Sequence, residues 1–128
     1  METLTTNGVR ITVDHQYQQA HSEPHRNRFL HIYEITIENR NSYAIQLLKR
    51  HWYILEDTGQ QNEVLGDGVI GVQPVIDPGC LHAYSSYCVL ASEVGKMHGK
   101  YVMKRTDDNT LFEVQIPEFV LVLPAKMN

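Results

Sequence analysis

The sequence has no apolar run near the length of a membrane span, which takes about 20 residues in a helix. Residues 1–13, METLTTNGVRITV, do not join a basic start to an apolar segment, so no secretory leader is read there. Cysteine is scarce: Cys80 and Cys88 are the only two, eight residues apart. A reduced, cytoplasmic protein is expected from these absences. There is no surplus of positive charge either. Eleven Lys and Arg stand against fifteen Asp and Glu, giving −4, and no long run carries one sign. A general nucleic-acid binder needs a basic surface, so that class is not expected. Strings of the G-x-S-x-G and H-E-x-x-H kind are missing, and no catalytic constellation stands out. No segment carries helical periodicity, and there are no repeats or low-complexity tracts.

The 128 residues fit one domain, large enough to bury roughly two-thirds of its unfolded surface. Apolar residues make up 42% and charged residues 20%, the balance of a globular chain rather than a disordered one. What recurs is alternation at period two, the mark of a half-buried strand. Residues 1–8 are polar and end in the turn pair Asn7-Gly8. Val9, Ile11 and Val13 then share one face. Phe29, His31, Tyr33, Ile35 and Ile37 share the next, with Leu30 and Ile32 making that strand's start apolar on both faces. Residues 43–49 and 50–56 read as two short strands, the second pairing with residues 61–65 as a hairpin around Asp57-Thr58-Gly59. Asp77-Pro78-Gly79 is a turn before a strand at 80–90. Ala91 to Lys96 reads as a loop. Strands follow at 97–106 and 111–116, with Pro117 bending the chain before a last strand around Phe119 to Leu123. An all-β sandwich of immunoglobulin or fibronectin type III kind follows, with about seven to nine antiparallel strands. The cysteine spacing lacks the width of an immunoglobulin inter-sheet disulfide, which favours the fibronectin-like form.

Gly66-Asp67-Gly68-Val69-Ile70-Gly71 matches the G-x-G-x-x-G dinucleotide fingerprint in letters. That fingerprint works by setting a pyrophosphate on a helix N-terminus. Here Val69, Ile70 and Val72 are β-branched and Pro74 follows, so no helix of useful length fits. A loop needing unusual backbone angles is the simpler reading. A nest of its N–H groups holding an anion is the alternative.

The seven histidines show no convergent ligand set. His21 and His25 have helical ligand spacing but flank Ser22-Glu23-Pro24, which is not helix. His31 sits on an apolar face and reads as a packed core residue. Cys80 and His82 would share a strand face. Ser85 and Ser86 lie mid-strand, a poor place for an exposed nucleophile. Trp52 reads as a core anchor. Arg50 shares its parity, and the sequence leaves its role undecided.

The strings ITIEN at Ile35 to Asn39, QLLKRHWYILEDTGQQNEVLGDGVIGVQPVIDPG at Gln46 to Gly79, and GKYVMKRTDDNTLFEVQIPEFVLVLP at Gly99 to Pro124 resemble the ApaG family of small bacterial proteins. Lys49 stands where the family often has Ser, and Cys80 where an acidic residue or Ser is frequent. The resemblance covers nearly the whole chain. It implies a fibronectin type III-like sandwich and no established catalytic activity. It also implies an association with cobalt resistance and magnesium efflux. Related domains in a eukaryotic F-box protein and a polymerase-interacting protein suggest a protein-interaction role. Nucleotide or pyrophosphate proposals for the family would fall on Gly66, Gly68 and Gly71.

The expectation is a single domain over residues 1–128, with an ordered core of about 8–124. It is a non-catalytic interaction module with a protein partner, or alternatively a phosphate, pyrophosphate or nucleotide binder. Candidate ligand or partner residues are Gly66, Asp67, Gly68, Gly71, Arg50 and His51. No cofactor, metal site, nucleic acid or membrane insertion is expected. The oligomeric state is open, with a homodimer among the options.

Overall fold

Val, Ile, Tyr and Thr alternating with polar residues favour a pleated, half-buried backbone. The computed structural model describes residues 1–124; the expected domain also takes in residues 125–128, which lie outside the described residues. Nine strands form among the described residues: β1 (Glu2–Thr6), β2 (Val9–Tyr17), β3 (Phe29–Asn39), β4 (Ile45–Glu56), β5 (Gln61–Asp67), β6 (Val75–Ile76), β7 (Leu81–Leu90), β8 (Val94–Arg105) and β9 (Leu111–Val122). One sheet has the order β1-β2-β3-β7 and the other β5-β4-β8-β9, with β6 pairing the start of β4. Every pairing is antiparallel, which gives the expected sandwich. The polar stretch before Arg28 forms two single 3-10 turns, Gln19–His21 and Pro24–Arg26.

The two inner faces meet in a core that includes Ile11, Ile35, Ile37, Leu47, Trp52, Tyr101, Met103, Val114 and Phe119, all buried. Trp52 packs edge-on to Phe119 at 6.0 Å and tilts against Tyr33 at 5.5 Å, so it is the core anchor the sequence suggests. Asn39 is fully buried at the end of β3. Its amide donates to the carbonyls of Tyr43 and Ile76 and its oxygen accepts from the Asn41 N–H, so the buried polar group is satisfied while it ties β3 to β6.

Five sequence readings change. Residues 1–8 hold a strand, β1, turned onto β2 by Asn7 and Gly8 at φ 50° and 75°, the signs a two-residue hairpin turn requires. Residues 43–56 are one strand rather than two. A bulge at Leu48 moves the inward positions from Ile45 and Leu47 to Arg50 and Trp52. Residues 111–122 are likewise continuous. Pro117 and Glu118 together oppose His98, so the inward positions pass from Val114 and Ile116 to Phe119 and Leu121. A bulge is also where a strand tolerates the missing N–H of proline. Finally, Leu30 and Ile32 are not buried on a second face: Leu30 is half-buried and Ile32 exposed. The loop read at 91–96 also ends earlier, since Val94 and Gly95 already belong to β8.

The sandwich is closed along one side and open along the other. On the closed side, the Asn7 side chain donates to the Glu113 carbonyl at 2.9 Å, and His15 stacks on Phe119 at 5.4 Å. On the open side the edge strands β5 and β7 face each other without pairing, and the glycine string lies between them.

Candidate functional site

The glycine string is built from a strand end and a tight turn. Gly66 and Asp67 are the last residues of β5, paired with Arg50 and Lys49. The chain then turns at Gly68, φ 62°, whose N–H donates to the Leu48 carbonyl at 2.8 Å. Leu48 is the bulged residue of β4, and its carbonyl also accepts from the Gln73 side chain at 2.9 Å. Val69 and Val72 exchange two backbone hydrogen bonds, 2.8 and 3.1 Å, around Ile70 and Gly71. Both turn residues have positive φ, 47° and 76°. Such a conformation costs a β-branched residue about 1–2 kcal/mol, so Ile70 is held there by its surroundings. Strand β6 follows, not a helix, in line with the reading of the β-branched residues and Pro74.

Arg50 organises this turn. Its Nη1 donates to the carbonyls of Asp67 and Gly68 at 3.1 and 3.0 Å. The guanidinium lies flat over Gly66, where a Cβ would stand 2.8 Å from its nitrogens. Gly66 is thus a space for Arg50, Gly68 a turn fitted against the Val72 carbonyl, and Gly71 a positive-φ corner with open space around it. Among the described residues no carboxylate pairs with Arg50, and Nε and Nη2 meet no protein acceptor.

The inward direction of Arg50 places it in a cleft of about 380 Å³ between β5 and β7. Tyr33, Tyr84, Ser86 and Cys88 line one wall; Trp52, Ile54, Val64 and Met97 line the other; Val69, Ile70 and Gly71 form a lip. Arg50 is the only charged residue among them. The Tyr84 and Tyr101 hydroxyls are hydrogen-bonded to each other. Burial pushes all three phenols, Tyr33, Tyr84 and Tyr101, above the usual tyrosine range, with Arg50 pulling modestly the other way. The phenols therefore remain neutral at physiological pH.

The His51 side chain points the other way from that of Arg50. One residue along a strand reverses the face, so His51 lies outside, stacked on Tyr53 at 4.4 Å and 3.5 Å from Glu63. The candidate residues fall on two concavities: Arg50 and Gly71 line the cleft, while His51, Gly66 and Asp67 line a second one of about 310 Å³ together with Lys49, Lys100 and Arg50 itself. Sequence reasoning missed the facing wall. Tyr33 and Ser86 are cross-strand partners, and Tyr84, Ser86 and Cys88 alternate on one face of β7. The alternation was visible, but the β3–β7 register that brings it opposite Arg50 was not.

The remaining chemistry-bearing residues are dispersed. His21 and His25 fall in separate 3-10 turns. Among the described residues, no group of three or more His, Cys, Asp or Glu has the geometry to hold a metal ion. His31 is buried, 1% exposed, against Tyr17 at 5.2 Å. Cys80 is exposed before β7 starts, whereas Cys88 is buried and its thiol is pushed up to about 11, first by burial and then by Glu56. The thiolate is the reactive form, so a maleimide at neutral pH is expected to label Cys80 in the native protein and Cys88 only after denaturation. Mass spectrometry of the labelled peptides checks this; equal native labelling of both would contradict the buried placement.

A two-sheet, all-antiparallel sandwich with a one-cation cleft at its open side defines a β-sandwich protein with an edge-facing pocket. Comparison with known proteins places it further. The model of the ApaG domain matches residues 19–105. Protein ApaG of Brucella suis biovar 1 is 43% identical over 126 residues, covering 98% of this chain and 96% of that protein. Protein ApaG of Pseudomonas paraeruginosa is 44% identical over 124 residues, covering 97% and 98%. A crystal structure described as the putative ApaA protein from Bordetella pertussis superposes with a TM-score of 0.87 at 34% identity, covering 91% of this chain and 94% of that one. The chain belongs to the ApaG family.

Proposed function

We propose that this chain is a non-catalytic interaction module of the cytoplasm, which binds a protein partner through the outer face of β3 and β7 and the adjoining open side of its sandwich. The observation that carries the reading is an apolar patch on the outer face of β3 and β7. Ile32 pairs with Tyr87 and Leu30 with Val89 across the two strands. Ile32 is 37% exposed, Val89 38% and Tyr87 66%. A sheet face normally puts polar residues there, and contiguous exposed apolar residues mark interaction surfaces. The patch borders β7, an edge strand whose free backbone groups are a ready template for pairing. The link to cobalt resistance and magnesium efflux, in this reading, runs through the partner.

The phosphate, pyrophosphate or nucleotide reading has weaker support. The N–H groups of Gly68, Val69 and Val72 already donate within the protein, and one guanidinium is the cleft's whole positive charge. A polyphosphate carries several negative charges and is ordinarily met by more cations.

Affinity capture with the wild-type chain and with Tyr87→Lys tests the interaction reading. At 66% exposure, this substitution is expected to leave stability within about 0.5 kcal/mol. A protein recovered by wild type and lost with the variant is the expected result. The same recovered set from both would overturn the reading. Sedimentation of the two forms shows whether the partner is a second copy.

A further inference from the structure

The cleft presents an unusual combination. A guanidinium is fixed by two backbone carbonyls on one side, and its Nε and Nη2 are left without a protein acceptor. No carboxylate of the described residues neutralises it. Neutral hydroxyls of Tyr33 and Ser86 stand on the facing wall, and Trp52, Ile54 and Met97 make an apolar recess beside them. One cation asks for one negative charge. The planar fork of arginine matches a carboxylate in particular, which it can bind through two parallel hydrogen bonds. The apolar recess asks for an aliphatic or aromatic group next to that charge. On either side, the edge strands β5 and β7 offer backbone donors and acceptors to an extended chain.

We propose that the cleft binds the free C-terminal carboxylate of an extended polypeptide, with the carboxylate on Arg50 and the last, apolar side chain in the recess formed by Trp52, Ile54 and Met97. This rests on the reading of the open side as the partner-facing surface, and it names the end of the partner that enters. Charge complementarity selects the occupant. A simple fatty acid would satisfy the charge and the recess but would leave the two strand edges unused. Pyrophosphate would fill neither the recess nor the edges.

The test is titration of the isotope-labelled chain with an acetylated Gly-Val-Val-Leu peptide bearing a free carboxylate. Its C-terminal amide, hexanoate and pyrophosphate are titrated in parallel, following the amides of Ile70, Gly71 and Ser86. The acid is expected to bind at least about tenfold more tightly than the amide, because the amide loses the charge-assisted pair. Arg50→Lys is expected to weaken the acid by about tenfold, since an ammonium lacks the fork. Arg50 also braces the turn, so a second pair of variants sits at the partly exposed Val64: Val64→Glu should weaken the acid several-fold more than Val64→Gln does, while the two variants bind the amide alike. Equal binding of acid and amide would overturn the proposal. So would tighter, Arg50-dependent binding of pyrophosphate, or binding of hexanoate without the peptide acid. If the acid fails while a partner is captured that is lost with Ile32→Lys, a patch residue outside the cleft lining, the outer patch stands and the cleft assignment falls. If the acid binds while capture is insensitive to Tyr87→Lys, the cleft stands and the patch falls.

Discussion

Replacing Gly68 with alanine is expected to cost about 3 kcal/mol of stability, the largest loss of any single methyl group added to the glycine string. Two effects add. Gly68 has φ 62°, which an L side chain pays to adopt. Its new Cβ would also stand 2.1 Å from the Val72 carbonyl oxygen, a backbone atom held in the Val69–Val72 hairpin. That atom cannot swing aside as a side-chain tip would, so the turn must open. The two neighbours provide the comparison. Gly71→Ala has open space and costs only the backbone strain, about 1 kcal/mol. Gly66→Ala meets the movable end of Arg50 and costs about 1 kcal/mol by releasing its hydrogen bonds to Asp67 and Gly68. Thermal unfolding of the three variants measures the order. For a domain of this size the Gly68 change should lower Tm by roughly 10 °C. Equal losses at all three positions would mean that the string acts as one flexible loop.

Acidification should weaken the fold through His31. Burial, reinforced by His15, lowers its pKa from 6.5 to about 4. The imidazole is thus kept neutral in the native state, while the unfolded chain takes up a proton near the ordinary value. In that window the unfolded state binds more protons, so stability falls with falling pH. The contribution is fully present above pH 6.5 and is lost progressively down to about 4. The loss amounts to about 2 kcal/mol between about pH 7 and pH 5. Urea unfolding of wild type and His31→Leu across that range checks it. The difference in stability between the two should shift in favour of the leucine variant by this amount as pH falls. A constant difference would remove His31 as the cause.

Much of the architecture is legible because alternation is a local property. The Phe29–Asn39 strand, the β4–β5 hairpin and the Asp77-Pro78-Gly79 turn need only neighbours in sequence. The failures are of two kinds. Leu30 and Ile32 look buried because apolar residues on both faces usually are; here the second face is an exposed patch, and no local pattern separates the two cases. The cleft depends on register. That Arg50 shares a face with Trp52 can be read directly, but that Gly66 lies beneath its guanidinium requires the β4–β5 pairing, and that Tyr33 and Ser86 face it requires the β3–β7 pairing. The glycine letters belong to a strand end and a tight turn followed by β6, without the helix that the dinucleotide fingerprint needs.

The two bulges have a consequence for how this chain can change in length. Each is a one-residue insertion into an otherwise regular alternation: Leu48 in β4, and one residue of the Pro117–Glu118 pair in β9. Strand β8 between them keeps a single frame, with Gly95, Met97, Gly99, Tyr101 and Met103 all inward. A deletion elsewhere in these strands would throw the following core side chains into solvent. A deletion at either bulge would leave every other residue on its present face. The two points are still not equivalent. The Leu48 carbonyl is the anchor of the Gly68 turn and of Gln73, whereas Pro117 supplies no N–H to lose. Shortening the chain at Pro117 removes a buried ring but no backbone anchor; shortening it at Leu48 unmoors the lip of the cleft.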